Sequence, residues 1–408
     1  MIQGFFISVL DSADMENGVM TKIHKGSTKP ARKLLTTIVC TAIVSLGSQA
    51  ALAQAGDKLR AEYPQLAELF NAFNLTQAHA LEAITKINAH PASAANLAEL
   101  RKHLQVMRTM TKSELMANGG MHHLGKALNP EMEVEARIYL TAVMRARHTD
   151  EEVTNAYADN LAISHQMSEI LSRGRDFENR LFEIFLDDSI NDKPAAVNAA
   201  IADYLSDDRH SVSTFPKESE FLVEHKQASG FKTAFPRLSG LMWTQQWLQL
   251  ASLEAIILET VDKQFTNSVD TALERFWGKI GTDGGMSVFP PPSELPMAPA
   301  IAPDLYTQSP EAAIILDNLN ILETVVADIL SYPNEIDREA KMDAAIALFT
   351  NKEAGNSQPA EYLLFALRGG IYEQGGPVIG DLTRSERNRS RDSMVMQQAA
   401  TATTRPRQ

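Results

Sequence analysis

The stretch that most constrains the fold is residues 241–262, LMWTQQWLQLASLEAIILETVD. At 100° per residue, one face of a helix through it carries Trp243, Trp247, Leu250, Glu254, Leu258 and Val261. A face this apolar packs inward, so the sequence predicts the central helix of the core. The polar side chains within the stretch, Gln245 and Gln246 among them, exclude a membrane span.

From Asp57 onward the chain shows helical spacing almost throughout and no convincing run of alternating apolar and polar residues. The predicted class is all-α, an irregular multi-helix bundle. Residues 54–280 are expected to form the bundle and 311–382 to add C-terminal helices on the same core. The seven prolines in residues 281–310 predict a loop that straps or links these helices. Residues 383–408 are typical of a disordered tail.

Three local patterns add detail. Residues 57–88 are expected to form one or two helices with a break at residues 74–76. Thr149 followed by three acidic residues predicts a helix cap. Residues 311–331 predict a second strongly apolar helix, packed against residues 241–262. The side of this second helix that we expect to face solvent carries Asp317, Asn320, Thr324, Asp328 and Ser331.

The amino terminus has the order of segments found in export signals. Five basic residues between positions 22 and 33 precede an apolar run at residues 34–46, and Ala51 and Ala53 supply the small residues of a cleavage site. Residues 1–53 therefore predict a signal peptide, with cleavage near Ala53 and a periplasmic mature protein. The first 19 residues do not resemble a signal, so translation from Met15 or Met20 is an alternative, as is an uncleaved membrane anchor.

Cleavage after Ala53 would remove Cys40, the only cysteine. A mature chain without cysteine has no disulfide and no thiolate ligand, which excludes covalent c-type haem and iron–sulfur clusters. The formal charge of −13 argues against a nucleic-acid partner, because phosphate contacts require clustered Lys and Arg. The mature chain is also expected to have no membrane span. The sequence gives no indication of its oligomeric state.

Carboxylates on apolar helical faces are the candidate catalytic groups. Glu254 lies within the apolar face of residues 241–262, where desolvation would raise its pKa and suit it to general acid or base chemistry. Asn318 falls on the apolar face of residues 311–331 and is predicted to form an inner polar pair with Glu254. Glu178 is a third inward carboxylate at helical spacing, and Glu323 lies at the border of its apolar face. Buried polar contacts that only fix helix packing are the alternative interpretation.

A second cluster suggests metal binding. Met116, Met121, His122 and His123 combine thioether and imidazole groups, which suit copper or b-type haem. The alternatives are methionines that fill the core and histidines exposed beside the Gly119-Gly120 pair. The motifs HExxH, GxSxG and the EF-hand loop do not occur in the sequence.

These observations leave two classes of function. The first is an exported, soluble, non-enzymatic helical protein that binds a ligand or metal or serves as an accessory protein, with a small ligand or a periplasmic protein as partner. The alternative is a cofactor-independent periplasmic enzyme, a lyase, isomerase or hydrolase, that uses a buried carboxylate near Glu254.

Overall fold

The computed structural model describes residues 55–94, 96, 98, 129–158, 160–217, 229–280, 295–332, 337–353, 359–367 and 378. Within these residues the protein is all-α and has no strand. The helices are α1 Asp57–Glu62, α2 Pro64–Ala89, α3 Pro130–Arg145, α4 Asp150–Thr154, α5 His165–Leu186, α6 Lys193–Leu205, α7 Ser229–Ala234, α8 Pro236–Val261, α9 Ser268–Ile280, α10 Ala298–Ile301, α11 Pro303–Gln308, α12 Pro310–Ser331, α13 Arg338–Thr350 and α14 Pro359–Ala366. The predicted all-α class is confirmed. Short 3₁₀ turns occupy Pro91–Ser93 and Lys263–Phe265.

Helix α8 lies at the centre of the core. Every residue from 241 to 258 is buried, on both the apolar and the polar face of the helix. It packs against α2, α3, α5 and α9 and against the short helices α7, α10 and α11. The contact with α12 includes Gln246, whose Nε2 donates to the backbone oxygen of Asn320 at 3.0 Å. The predicted inward face ends early, because Val261 is 75% exposed.

The polar side of α12 is buried, contrary to the expectation that it faces solvent. Asp317, Asn320, Thr324, Asp328 and Ser331 are each at most 6% exposed. Neighbouring segments supply the partners that water would otherwise provide: Asp317 accepts hydrogen bonds from the backbone of Ala298 and from Tyr362, and Asp328 accepts one from the backbone of Phe231. Thr324 and Ser331 donate to backbone oxygens one turn earlier in their own helix. Polar residues on this face therefore connect α12 to its neighbours.

The segment predicted as a proline-rich loop is partly helical. Residues 281–294 lie outside the described part of the chain, but α10 and α11 occupy most of residues 298–308 and α12 begins at Pro310. Proline is well suited to the first turn of a helix, because it has no N–H there to lose and its φ angle is already helical. Pro299, Pro303 and Pro310 each lie in such a first turn. These three prolines therefore lie at helix starts and not in a loop.

Helix α2 is continuous through residues 74–76, where a break was expected. Thr76 is buried and its hydroxyl donates to the backbone oxygen of Ala72 at 2.9 Å, so it is satisfied within the helix. The break comes instead between α1 and α2, at Tyr63-Pro64. The predicted cap at Thr149 is confirmed: Thr149 Oγ1 accepts from the backbone N of Glu152, and the Glu152 side chain accepts from the backbone N of Thr149.

Carboxylates on one helix accept backbone N–H groups at the start of another. The pairs are Glu133 with α8, Glu183 with α1, Glu254 with α11, Asp317 with α10 and Asp328 with α7. The first N–H groups of a helix have no partner within the helix, and the helix dipole there favours a negative charge. These carboxylates therefore fix the position of each helix start while they satisfy its donors. Among the described helices, none is long and apolar enough to cross a membrane.

The glycine at the start of α7 allows a close approach that a side chain would prevent. A Cβ on Gly230 would lie 2.6 Å from the Tyr332 ring and 2.9 Å from Asp328 Oδ1. A Cβ on Gly278 in α9 would meet nothing within 4 Å.

We expect Gly230→Ala to lower the free energy of unfolding by about 1–3 kcal/mol, because the rigid ring and the capping carboxylate must both move. The matched control Gly278→Ala should raise it by about 0.4–1 kcal/mol, because it restricts the unfolded chain at no steric cost. Urea denaturation of both variants measures the difference. Equal effects in the two variants would contradict the close packing at Gly230.

Candidate functional site

Glu254, the first predicted catalytic residue, lies in α8, and its buried side chain contacts the start of α11. Its carboxylate accepts hydrogen bonds from the backbone N atoms of Asp304, at 3.1 Å to each oxygen, and of Leu305 at 3.2 Å. Burial raises the pKa of Glu254 to about 8, and the opposing effect of the backbone N–H groups is smaller. The carboxylate thus has a perturbed pKa, and both of its oxygens are bound to the backbone.

Asn318, the second predicted residue, holds the segment that follows α6. Its Nδ2 donates to the backbone oxygens of Ser213 and Phe215, both at 2.8 Å, and its Oδ1 accepts from the backbone N of Lys217 at 3.2 Å. These partners differ from those of Glu254, so no hydrogen bond among the described residues joins the predicted pair. The catalytic role of Glu254 and Asn318 remains a prediction.

The predicted metal ligands Met116, Met121, His122 and His123 lie outside the described residues, so that site also remains a prediction. Within the part of the chain that the structure describes, no group of three or more His, Cys, Asp or Glu side chains could hold a metal ion.

A buried ionic cluster lies where α2, α5, α8 and α12 meet. Arg175 is at its centre, with Nη1 2.9 Å from Glu178 Oε2 and Nη2 3.6 Å from Glu323 Oε2. Glu178 is 2% exposed and Glu323 is 1% exposed. Arg175 and Glu178 are one turn apart on α5, and Glu323 comes from α12, so the guanidinium joins the two helices.

Neutral polar side chains complete this group, which we call the Arg175 cluster. The Tyr157 hydroxyl is 3.1 Å from Glu323 Oε1, and Arg175 donates to Gln77 Oε1. Helix α8 contributes Gln246 Nε2, 3.4 Å from Glu323 Oε2, and Gln249 Nε2, 3.3 Å from Glu178 Oε2. The members are Gln77, Tyr157, Arg175, Glu178, Gln246, Gln249 and Glu323.

The charges of the cluster do not balance when both of its carboxyl groups are ionised, because two carboxylates then share one guanidinium. Burial raises the pKa of Glu178 to about 7, against the opposing effect of Arg175. Burial also raises the pKa of Glu323, against the same guanidinium and the hydrogen bonds from Gln246 and Tyr157. Near neutral pH the cluster can therefore take up or release a proton.

A small cavity adjoins the cluster between α5, α8 and α12. It has a volume of about 10 Å³, about the minimum needed for one water molecule. Its polar lining is Arg175, Glu178, Gln249 and Asn320, and its apolar lining is Gly174 and four leucines. The Oε1 atom of Glu178 is buried without a hydrogen-bond partner among the described residues, while Oε2 binds Arg175 and Gln249. One carboxylate oxygen at the cavity therefore has unused hydrogen-bonding capacity.

No protein-family model, curated protein or solved structure matches this chain.

The sequence indicated only part of this cluster. Glu178 was identified as an inward carboxylate and Glu323 as lying at a border, but Arg175 and Tyr157 were missed. A signal for Arg175 exists in the sequence: it precedes Glu178 by three residues, so the two lie on the same helical face. Tyr157 follows α4 outside any long helix, and nothing in its sequence context predicts burial.

Raised carboxyl pKa values predict that the fold loses stability as the pH rises. Burial raises the pKa of Glu133, Asp176 and Glu178 to about 7 and that of Glu254 to about 8, from ordinary values of 3.8 for Asp and 4.5 for Glu. Between those values the folded chain binds more protons than the unfolded chain, so the free energy of unfolding falls with rising pH.

We expect the free energy of unfolding to be at least ~2 kcal/mol lower at pH 8.5 than at pH 5.5. Urea denaturation at pH 5.5 and at pH 8.5 measures this difference. Asp176→Asn removes one of the titrating groups and should reduce the difference. A free energy of unfolding that stays constant or increases over this range would contradict the raised pKa values.

Proposed function

We propose that this protein is an exported, non-enzymatic helical protein that binds a small polar ligand at the Arg175 cluster. The observation that carries the proposal is at Glu178, a residue of the cavity lining, whose buried Oε1 has no hydrogen-bond partner among the described residues. Buried polar groups in proteins are nearly always hydrogen-bonded, so an exception beside a cavity indicates a position for a ligand. Perturbed carboxyl groups at the same place support this interpretation.

The surroundings of the predicted catalytic residues favour binding over catalysis. Both oxygens of Glu254 and the whole amide of Asn318 are bonded to backbone groups of neighbouring segments. A general acid or base must reach the proton that it transfers. Here the same side chains hold α11 and the segment at residues 213–217 in place.

Export is supported by the order of basic, apolar and small residues between positions 22 and 53. Ala55 is buried, and its N–H donates to Asn71 Oδ1 at 2.9 Å. Cleavage after Ala53 would therefore leave the described contacts intact, with one further residue before Ala55.

Expression of the full chain in a Gram-negative host tests the export proposal. We expect periplasmic protein whose amino terminus is Gln54, measured by fractionation and intact mass. Ile43→Arg, which places a charge within the apolar run, should leave the precursor in the cytoplasm. Cytoplasmic protein that retains residues 1–53 in the unmodified chain would refute export.

A second candidate function is the enzyme with a catalytic carboxyl at Glu254, favoured by the pKa of about 8 of that group. Stability measurements separate it from a structural role, because active-site groups are often retained at a cost in stability whereas caps contribute to it.

For a structural Glu254, we expect Glu254→Leu to lower the free energy of unfolding by about 1–3 kcal/mol, since the N–H groups of Asp304 and Leu305 lose their acceptor. Glu254→Gln keeps one acceptor oxygen, so it should lower the free energy of unfolding by less than Glu254→Leu. Urea denaturation at pH 7 compares the two. A Glu254→Leu variant that is more stable than the parent would favour the enzyme.

A further inference from the structure

We infer that the cavity beside Glu178 is a binding site for a water-sized monovalent cation that donates hydrogen bonds, and that ammonium is the member of this class that it fits. The inference rests on the proposed binding function and specifies its ligand. It follows from three properties of the cavity: its free acceptor, its charge and its size.

The free group at the cavity is an acceptor, so the ligand is a donor. Glu178 Oε2 already receives hydrogen bonds from Arg175 and Gln249, whereas Oε1 receives none from the described residues. The side-chain amide oxygen of Asn320 can add a further acceptor, because this side chain lines the same cavity. A ligand with several N–H or O–H groups can satisfy these acceptors together.

The charge of the surroundings favours a cation. From α5 the cavity is faced by Arg175 and Glu178, and from α12 the cluster adds Glu323. Helix α8 contributes only the neutral amides of Gln246 and Gln249, and Tyr157 contributes a neutral hydroxyl. With both carboxyl groups ionised, the site has one negative charge in excess. A bound monovalent cation neutralises it, and an anion would be repelled.

Size and coordination favour ammonium over alkali metal ions. The volume of about 10 Å³ suits a ligand of the size of water. Hard metal cations require a shell of oxygen ligands, but much of this lining is leucine side chain, from Leu171, Leu250, Leu316 and Leu319. Ammonium needs at most four acceptors in tetrahedral directions, and the apolar lining does not exclude it. Larger amines exceed a cavity of this volume.

Competition with protons gives the site a defined pH window. Because burial raises the pKa of Glu178 to about 7, a proton occupies the carboxyl group at lower pH and neutralises the charge that attracts the cation. Apparent affinity for ammonium should therefore rise as the pH increases through 7. It should fall again where ammonium itself loses its proton.

The test is a thermal-denaturation titration of the full chain with ammonium chloride at pH 8, with sodium chloride added to keep the ionic strength constant. A ligand that binds only the folded state raises the midpoint with saturation. We expect a saturable rise with ammonium, a smaller one with potassium and none with tetramethylammonium. At pH 6 the response to ammonium should be at least ~5-fold weaker, because protons then occupy Glu178. With ¹⁵N-ammonium, a bound resonance distinct from the free ion should appear in the NMR spectrum.

Three variants assign the response to this cavity. Glu178→Gln removes the charge at nearly constant shape and should weaken ammonium binding at least ~tenfold. Asp176→Asn is the matched control, because it removes a carboxylate with a similarly raised pKa from the same helix but not from the cavity lining. It should leave binding unchanged. Asn320→Leu is designed to fill the cavity while keeping Glu178, so it should also abolish the response to ammonium. If Glu178→Gln does not fold, this variant tests whether the cavity is the binding site.

The outcomes separate this inference from the proposed function. If ammonium has no effect but potassium or methylammonium gives a saturable response that Glu178→Gln abolishes, the ligand class is wrong and the binding function survives. If none of these cations gives a response that depends on Glu178, both are refuted and the cavity is a hydrated packing defect. An ammonium response that persists in Glu178→Gln or Asn320→Leu would place the site elsewhere and overturn the inference.

Discussion

The fold depends on hydrogen bonds between buried carboxylates of one helix and the N–H groups at the start of another, which have no partner within their own helix. A buried helix start leaves several donors without water, and each unsatisfied donor costs about 1–3 kcal/mol. Glu133 supplies the acceptor for the start of α8 and Glu254 does so for α11, while α12 serves α10 and α7 through Asp317 and Asp328. Short helices can therefore pack around α8 and α12 with their first turns inside the protein.

This arrangement explains which sequence-based predictions succeeded. Helical spacing predicted the all-α class and placed both long central helices, because repeated apolar positions determine which residues must leave water. The same reasoning assigned the polar side of α12 to solvent and was wrong there. Periodicity distinguishes polar from apolar faces, but it does not tell whether a polar face meets water or the backbone of another segment. Asp317 and Asp328 have the spacing of a solvated face and the partners of a buried one.

The candidate site could be predicted only in fragments for a related reason. Glu178 was recognisable because it interrupts an apolar helical face. The Arg175 cluster, however, combines residues from four long helices and Tyr157, and their meeting depends on tertiary packing that no local pattern encodes. The sequence also gave no reason to separate Glu254 from Asn318, since both are polar residues on apolar faces. The structure assigns them to different neighbouring segments.

The buried carboxylates fall into two physical kinds, and the difference between them carries the functional argument. Glu254, Asp317 and Asp328 accept backbone N–H groups that would otherwise remain unpaired, so these hydrogen bonds offset part of the cost of burying the carboxylates. Even the second oxygen of Glu133, which has no hydrogen bond among the described residues, lies 3.6 Å from Arg237. Glu178 caps no helix among those described, shares its arginine with a second carboxylate and lines a cavity, and its Oε1 has no hydrogen-bond partner among the described residues. Apolar side chains in place of such a cluster are often as stable or more stable. Glu178 does not stabilise a helix start as the other carboxylates do. A function other than packing should therefore be sought at this residue.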